Sequence, residues 1–237
     1  MFMGGKANHV QDVAPKLSKS NWHSGARIFA PSVNHCVVLK KMTKLIGLTG
    51  GIATGKSVVS DYLQQQGVPI IDADLVTHQV EAKGTPGLQS LVTVFGTQIL
   101  KVDSSLDRHA LGEIVFNDPT ALKMLVRTID PFIRDAIFHQ LAANQSARLT
   151  VLDAPTLFEN GYVHLADEVV VVSCDPVTQL RRLMKRNKLS IVDANKRIQN
   201  QWPLQTKCDL ADTIIYNSGT VSTTLTQVDR WLAKEMK

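Results

Sequence analysis

The chain has 237 residues, of which 44% are hydrophobic and 20% charged, and its net charge is +5. This is the composition of a globular protein long enough to bury a core without disulfides or metal ions. Its three cysteines, Cys36, Cys174 and Cys208, are spaced too widely for a disulfide framework or a C-x-x-C metal site. No stretch approaches the roughly 20 apolar residues that span a bilayer. We therefore expect no membrane association and a reducing, cytoplasmic setting.

The positive charge lies at the N-terminus. Residues 1–41 contain six basic residues and one acidic residue, so residues 42–237 hold 20 of each kind. A neutral body argues against a nucleic-acid partner, because that affinity depends on neutralising backbone phosphates. The segment has no apolar run typical of a secretory signal, and its basic, acid-poor composition resembles a transit peptide only loosely. We expect residues 1–41 to be an extension that is disordered or absent from the native protein, with Met42 starting the fold.

From Lys44 onward, short apolar runs alternate with helical periodicity, which predicts βαβ units and a parallel sheet. The predicted strands are residues 45–49, 68–72, 149–153, 168–173 and 213–216. The predicted helices around them are residues 57–66, 74–81, 176–186, 190–201 and 221–236. The expected fold class is therefore α/β, with a central parallel five-stranded sheet between layers of helices.

Strand signals stop for some sixty residues after the turn GTPG at 84–87. Residues 88–95, 107–116 and 119–144 carry helical spacing of Leu, Val, Ile and Phe. We expect Pro131 to break the last of these helices in two, because proline removes a hydrogen bond and clashes with the preceding turn. The pattern predicts a helical insertion between two strands of the sheet.

The sequence GGIATGKS at 50–57 satisfies the pattern G-x-x-x-x-G-K-[ST] between a predicted strand and a predicted helix. Such a loop turns successive backbone N–H groups and a helix N-terminus toward phosphate oxygens. Lys56 is suited to the β- and γ-phosphates, and the Ser57 hydroxyl to a Mg²⁺ ion that accompanies ATP. The expected nucleotide contacts are Gly51, Ile52, Ala53, Thr54, Gly55, Lys56, Ser57 and Val58. The loop predicts a nucleoside triphosphate site and leaves the acceptor of the phosphate open.

Carboxylates follow two of the predicted strands, at the edge of a parallel sheet where ligands bind. Asp74, just after Asp72, could be the general base that takes a proton from a substrate hydroxyl. The alternative is that Asp74 caps the helix that follows. Asp153 could hold the Mg²⁺ hydration shell through water, or it could be an ordinary turn residue at a strand end.

A basic helix at 181–186 places Arg182 and Arg186 four residues apart, on one helical face. Arginines on a lid can neutralise the charge that develops on a transferred phosphoryl group. The alternative is a solvated charged face. The seven histidines have no metal-ligand spacing, so no metal is predicted beyond the nucleotide-bound Mg²⁺.

The glycine loop is one member of an ordered set of motifs. The others are IDAD at 71–74, GTPG at 84–87, FG at 95–96, RHAL at 108–111, VF at 115–116, PTLFE at 155–159, QLRRLMKR at 179–186, RI at 197–198 with Gln201, AD at 211–212 and NSG at 217–219. From Met42 to the C-terminus, this set resembles the dephospho-coenzyme A kinase family. The resemblance implies transfer of the ATP γ-phosphate to the 3′-hydroxyl of dephospho-coenzyme A, the last step of coenzyme A synthesis.

The resemblance also implies a three-layer P-loop kinase fold in three parts. The nucleotide core corresponds to residues 42–82, 147–180 and 208–237, the helical substrate-binding insertion to 83–146, and the helical lid to 181–207. By matching positions, Asp74 is the base, Lys56 and Ser57 contact phosphate and Mg²⁺, and Arg182 and Arg186 act from the lid. The implied partners are ATP and dephospho-coenzyme A, and the expected assembly is a monomer or a weak homo-oligomer.

Four positions depart from the family pattern. Ala53 stands where the family has glycine, Val58 replaces a threonine, Asp130 replaces the histidine of a His-Pro pair, and Thr156 replaces a leucine. None of them is Lys56, Ser57 or Asp74. Two rival functions remain open from the residues: a nucleoside or nucleoside-monophosphate kinase of similar architecture, and a regulatory P-loop module without transfer chemistry.

Overall fold

The computed structural model describes residues 43–116 and 118–237, so the expectation for residues 1–41 lies outside the described residues. The strands are β1 Lys44–Gly50, β2 Ile70–Asp72, β3 Leu149–Asp153, β4 Glu168–Ser173 and β5 Thr213–Tyr216. The helices are α1 Lys56–Gln65, α2 Ala73–Val80, α3 Pro86–Phe95, α4 Arg108–Phe116, α5 Pro119–Ala143, α6 Pro176–Asn187, α7 Ile191–Gln199, α8 Leu204–Leu210 and α9 Val221–Glu235. Short 3-10 turns occur at Thr97–Ile99 and Tyr162–Leu165.

The five strands form one parallel sheet in the order β2-β3-β1-β4-β5. The chain leaves β1 toward one side of the sheet and later crosses to the other side at β4. The carboxyl end of β1 is therefore the switch point, where open α/β sheets bind their ligands. In register, Asp153 of β3 lies opposite Leu48 of β1 and opposite Asp72 of β2. The predicted α/β fold with a five-stranded parallel sheet is confirmed.

Alternate strand residues face opposite sides of the sheet, and both sides are covered. Ile46, Leu48 and Val151 pack in one core with residues of α1 and α9, among them Val59 and Val228. The residues of the opposite face pack in a second core with the helices of the predicted insertion. Its members include Leu45, Ile71, Leu152, Val76, Leu91, Ile129 and Ile137. The result is three layers, with the helices of residues 83–146 packed directly on one face of the sheet.

Helix α5 runs unbroken for 25 residues through Pro131, so the expected break is wrong. Proline has no N–H, and one backbone hydrogen bond is lost there. On both sides of it, Ile129, Ile133 and Ile137 form a buried stripe against the second core. Packing of that stripe on both sides outweighs the local cost of the proline, as tertiary context commonly overrides intrinsic propensity.

Helix α8 was not predicted, because its seven residues are too few and too polar for periodicity to show. The predicted helix 190–201 ends at Gln199, and Pro203 precedes α8. Ser190 caps α7 by accepting the N–H of Asp193. Among the residues that the structure describes, no helix is both long enough and apolar enough to cross a bilayer.

Candidate active site

The glycine loop connects the end of β1 to the start of α1. The Thr54 N–H donates to the Gly51 carbonyl at 3.2 Å, and the Thr54 hydroxyl donates to the same oxygen at 2.9 Å. The loop needs left-handed backbone at two positions, Gly55 with φ of 92° and Ala53 with φ of 61°. Glycine accepts that conformation freely, whereas alanine is strained there by its Cβ. The family's glycine at the position of Ala53 thus has a backbone reason.

Close contacts explain why two other loop positions are glycine. A Cβ on Gly50 would lie 2.6 Å from the Val172 carbonyl, and a Cβ on Gly55 would clash with the Asn217 side-chain amide. Asn217, at 4% exposure, donates to the Thr54 carbonyl at 2.8 Å and accepts the Thr224 hydroxyl at 2.8 Å. Asn217, which directly follows β5, therefore holds the backbone of the loop at Thr54 through a buried hydrogen bond.

Lys56 and Asp153 meet at the carboxyl edge of the sheet. The Lys56 ammonium forms an ion pair with Asp153 Oδ1, and Asp153 is only 6% exposed. Asp153 is the last residue of β3, inside the ladder, so the turn alternative is wrong. Ser57 lies beside Lys56 in the first turn of α1 and is exposed to solvent. Thus the loop lysine and a buried carboxylate already share one site.

Asp72, and not Asp74, caps helix α2. Asp72 Oδ1 accepts the backbone N–H groups of Asp74 and Leu75, so the capping alternative for Asp74 is wrong. Burial raises the pKa of the Asp74 carboxyl, the Asp72 charge raises it further, and the nearby Lys56 ammonium opposes both. A carboxylate of raised pKa that feels the charge of the loop lysine is suited to accept a proton.

The structure brings Arg182 to the loop and leaves Arg186 outside it. Arg182 Nη1 donates to the Asn217 carbonyl at 2.8 Å, and a Cβ on Gly55 would lie 3.9 Å from that nitrogen. Arg186 is exposed, and its Nε donates to the neighbouring Asn187 at 2.9 Å. The two arginines share a helix but lie in different environments.

Two glutamines that carried no predicted role contact the loop at Ile52. Gln179 Nε2 donates to the Ile52 carbonyl at 2.9 Å, and the Ile52 N–H donates to Gln201 Oε1 at 2.7 Å. Gln179 lies on α6 and Gln201 follows α7. One contact therefore comes from just before the predicted lid at 181–207, and the other comes from within it.

Lys207 and Glu159 form a buried pair that was not foreseen. Lys207 is 0% exposed, and its ammonium lies 2.7 Å from Glu159 Oε1. The available signal was a lysine in an apolar stripe, since Leu204 and Cys208, three before and one after it, pack against the core. Asn217 could have been suspected only as part of the NSG motif.

A cluster of the insertion faces the same region. Arg134 Nε donates to Asp130 at 2.6 Å, and its guanidinium lies 5.2 Å above the Tyr162 ring. Burial raises the pKa of Tyr162 to about 12, and the charges of Asp130 and Asp74 act in the same direction. The aspartate in the position of the family's histidine is thus neutralised by Arg134.

A sequence model described as dephospho-CoA kinase matches residues 44–223. The chain belongs to the dephospho-CoA kinase family. A curated dephospho-CoA kinase of Lactiplantibacillus plantarum is 45% identical over 193 residues, which is 81% of this chain and 98% of that protein. The ordered motifs and the candidate site residues all lie within the matched region, and most of α9 lies beyond it.

Solved structures agree with the family assignment. TT1252 from Thermus thermophilus has a TM-score of 0.72 and 29% identity, and the match covers 82% of this chain and 98% of that one. The dephospho-CoA kinase of Campylobacter jejuni has a TM-score of 0.63 and 29% identity, covering 81% of this chain and 97% of that one. The P-loop kinase fold expected from the sequence is confirmed.

Proposed function

We propose that this chain transfers the γ-phosphate of ATP to the 3′-hydroxyl of dephospho-coenzyme A and releases coenzyme A and ADP. One observation carries the residue assignment. Asp74, whose carboxylate does not cap α2 and has a raised pKa, is close enough to Lys56 and Asp153 at the switch point of the sheet to feel their charges. Membership of the dephospho-CoA kinase family supports dephospho-coenzyme A as the acceptor of the phosphate.

The loop and its lysine bind the triphosphate. The loop N–H groups that have no acceptor within the protein and the N-terminus of α1 supply partial positive charge, and Lys56 adds a full charge for the β- and γ-phosphates. When ATP binds, the Lys56 ammonium must either leave Asp153 for the phosphates or contact Asp153 and the phosphates together. Arg182 is held beside Gly55 by the Asn217 carbonyl and offsets the charge that grows during transfer.

Asp74 acts on the acceptor. As the ribose 3′-hydroxyl attacks the γ-phosphorus, its O–H bond breaks and the proton passes to the Asp74 carboxylate, while the bond from phosphorus to the ADP oxygen breaks. Because Asp74 does not cap α2, its side chain is available for this proton. The helices of the insertion, with Arg134 of α5 packed over the Tyr162 ring, are the part of the protein proposed to hold the coenzyme substrate.

The residues present fit a Mg²⁺ ion that is bound mainly by the nucleotide. The Ser57 hydroxyl and the Asp153 carboxylate are hard oxygen ligands of the kind Mg²⁺ prefers. Within residues 43–116 and 118–237, no group of three or more His, Cys, Asp or Glu side chains could hold a metal by itself. Bound with ATP, the ion would neutralise charge on the phosphate oxygens, with Ser57 direct and Asp153 through water.

The lid, the location and the assembly belong to the proposal as well. Arg186 is proposed to reach the phosphates only when residues 181–207 close over bound ATP, since it is exposed now. Cys174 and Cys208 are free thiols, which agrees with a reducing cytoplasm. A monomer or weak homo-oligomer remains the expected assembly.

A coupled assay of ADP release tests the function. The purified protein is offered ATP with dephospho-coenzyme A, AMP, CMP or shikimate in parallel, and Asp74→Asn serves as the matched control for background hydrolysis. We expect turnover with dephospho-coenzyme A alone. Turnover of AMP or CMP without turnover of dephospho-coenzyme A would establish the rival monophosphate kinase. Failure with every acceptor, with ATP still bound, would favour the regulatory module.

A further inference from the structure

Lys207 is the largest of the fully buried side chains of the described residues, and it carries a charge. Lysine is almost never fully buried unless its ammonium is paired. Here the ammonium lies 2.7 Å from Glu159 Oε1 and donates to the Pro155 carbonyl at 3.0 Å and to the Gly50 carbonyl at 3.4 Å. The ammonium is thus paired with one carboxylate oxygen and donates hydrogen bonds to two backbone carbonyls.

The two carbonyls belong to neighbouring strand ends that frame the active site. Gly50 is the last residue of β1 and the first residue of the glycine loop. Pro155 follows β3 by two positions, and β3 ends at Asp153, the partner of Lys56. The Thr49 hydroxyl also donates to the Pro155 carbonyl, at 3.1 Å. The Lys207 ammonium thus ties the start of the loop to the segment that follows Asp153.

Stability alone is a poor reason for this arrangement. Desolvating an ammonium and a carboxylate costs several kcal/mol per ion, and replacing such a pair with apolar groups is often neutral or stabilising. A buried cation does have a consequence for electrostatics here. The ammonium neutralises the partial negative charge of two carbonyl oxygens that lie near the proposed phosphate site, and it fixes the direction of both carbonyls.

We propose that Lys207 is a positioning residue for the phosphates of ATP. It holds the Gly50 and Pro155 carbonyls, and through them it sets the direction of the loop N–H groups and the place of Asp153. The inference rests on the proposed function, since it assumes that the loop binds ATP. Lys207 does not touch the nucleotide, because its side chain is wholly enclosed.

Glu159 extends the same connection to the lid. Its Oε1 accepts the N–H of Trp202 at 3.0 Å, and the Trp202 ring stacks on Phe158 at 6.1 Å between centroids. The residue before Trp202 is Gln201, which accepts the loop N–H of Ile52. The ion pair of Lys207 and Glu159 therefore connects the glycine loop, the segment after β3 and residues 201–202. For this reason, removing the pair should weaken the affinity for ATP.

The test replaces both members of the pair at once, as Glu159→Gln with Lys207→Met. The double change avoids leaving one buried charge without a partner, so the melting temperature should stay within about 3 °C of the parent. ATP affinity, measured by isothermal titration without any acceptor, should weaken by at least about tenfold, because small displacements of phosphate-binding groups are costly. The KM for dephospho-coenzyme A should change less than about twofold at saturating ATP.

The matched control lies at the opposite end of β1, where the Lys44 ammonium pairs with Glu168 at 2.8 Å. Lys44→Met with Glu168→Gln removes an ion pair between β1 and β4, at the end of the sheet opposite the loop. Lys44 also pairs with Glu235, which loses its partner, so this variant should be destabilised at least as much as the tested one. The ATP affinity of this control should equal that of the parent even if its melting temperature falls. Parent-like ATP affinity in the Glu159/Lys207 double variant overturns the inference, as does an equal loss in both double variants.

The two proposals fail in different ways. If the parent protein binds ATP but does not phosphorylate dephospho-coenzyme A, the proposed function is wrong, and the titration still decides the role of Lys207. If the parent turns over dephospho-coenzyme A and the double variant binds ATP as the parent does, only the inference on Lys207 is wrong.

Discussion

The Asp72 carboxylate accepts the backbone N–H of Asp74 at 2.9 Å, so the helix cap and the candidate base are different residues two positions apart. The cap orients the first turn of α2 and with it the Asp74 side chain. Its negative charge also raises the pKa of Asp74. One residue therefore influences both the place and the proton affinity of the other, and substitutions at the two positions should have different effects.

Asp74→Asn should lower kcat by about 10²- to 10⁴-fold, the range for loss of a general base. ATP affinity should remain close to that of the parent, since Asp74 is proposed to act on the acceptor hydroxyl and not on ATP. Steady-state kinetics with titration of ATP checks both points. Asp72→Asn is the control, because asparagine caps a helix as well as aspartate does. Undiminished transfer by Asp74→Asn would refute the assignment of the base.

The pH profile should report the carboxyl of Asp74. The base must be ionised, so kcat/KM for dephospho-coenzyme A should fall as the pH drops through the raised pKa of Asp74. Burial raises this pKa most and the charge of Asp72 adds to it, so Asp72→Asn should move the acid limb to lower pH. Rate profiles of parent and variant, taken over a range in which both stay folded, measure the shift. An unmoved or upward-shifted limb contradicts this account.

Arg182 and Arg186 should differ in what their loss changes. Arg182→Ala removes a guanidinium held beside Gly55, so both ATP affinity and kcat should fall, kcat by about 10²-fold or more. Arg186→Ala removes an exposed side chain that is proposed to act only after closure, so kcat should fall while ATP affinity stays. Direct ATP titration separates the two. An equal loss of ATP affinity in both variants would show that Arg186 already contacts the site before closure.

Ala53→Gly should stabilise the protein. Alanine at φ of 61° costs about 1 to 2 kcal/mol relative to glycine, and the greater freedom of glycine in the unfolded chain returns about 0.4 to 1 kcal/mol of that. The net gain of up to roughly 1.6 kcal/mol corresponds to a rise of up to about 6 °C in melting temperature. Gly67→Ala, at φ of 81°, is the reverse control and should lower it.

Much of the site followed from local rules. The glycine loop can be recognised from the sequence because phosphate binding needs a fixed spacing of glycine, lysine and serine between a strand and a helix. Asp72, Asp74 and Asp153 could be placed together because carboxyl ends of parallel strands share one edge. Which of the two neighbouring aspartates caps α2 depends on where the helix starts, and helix ends are uncertain by a residue or two.

Other features depend on contacts between distant residues. Nothing near Lys207 in sequence shows that its partners will be Gly50, 157 positions earlier, and Pro155, 52 positions earlier. Pro131 was expected to end a helix because local sterics favour that outcome, and the buried stripe on both sides reversed it. In both cases the decisive energy comes from packing that forms only when the whole sheet and its helices assemble.

The hydrogen bond from Asn217 to the Thr54 carbonyl spans 163 positions of the chain. The nucleotide loop is made early in the sequence, yet its support arrives after β5, the last strand. A nascent chain released only as far as α8 would carry every residue of the loop and none of this support. Competence to bind ATP should therefore appear late in synthesis, after the insertion at 83–146 and the segment at 181–207 have already been made.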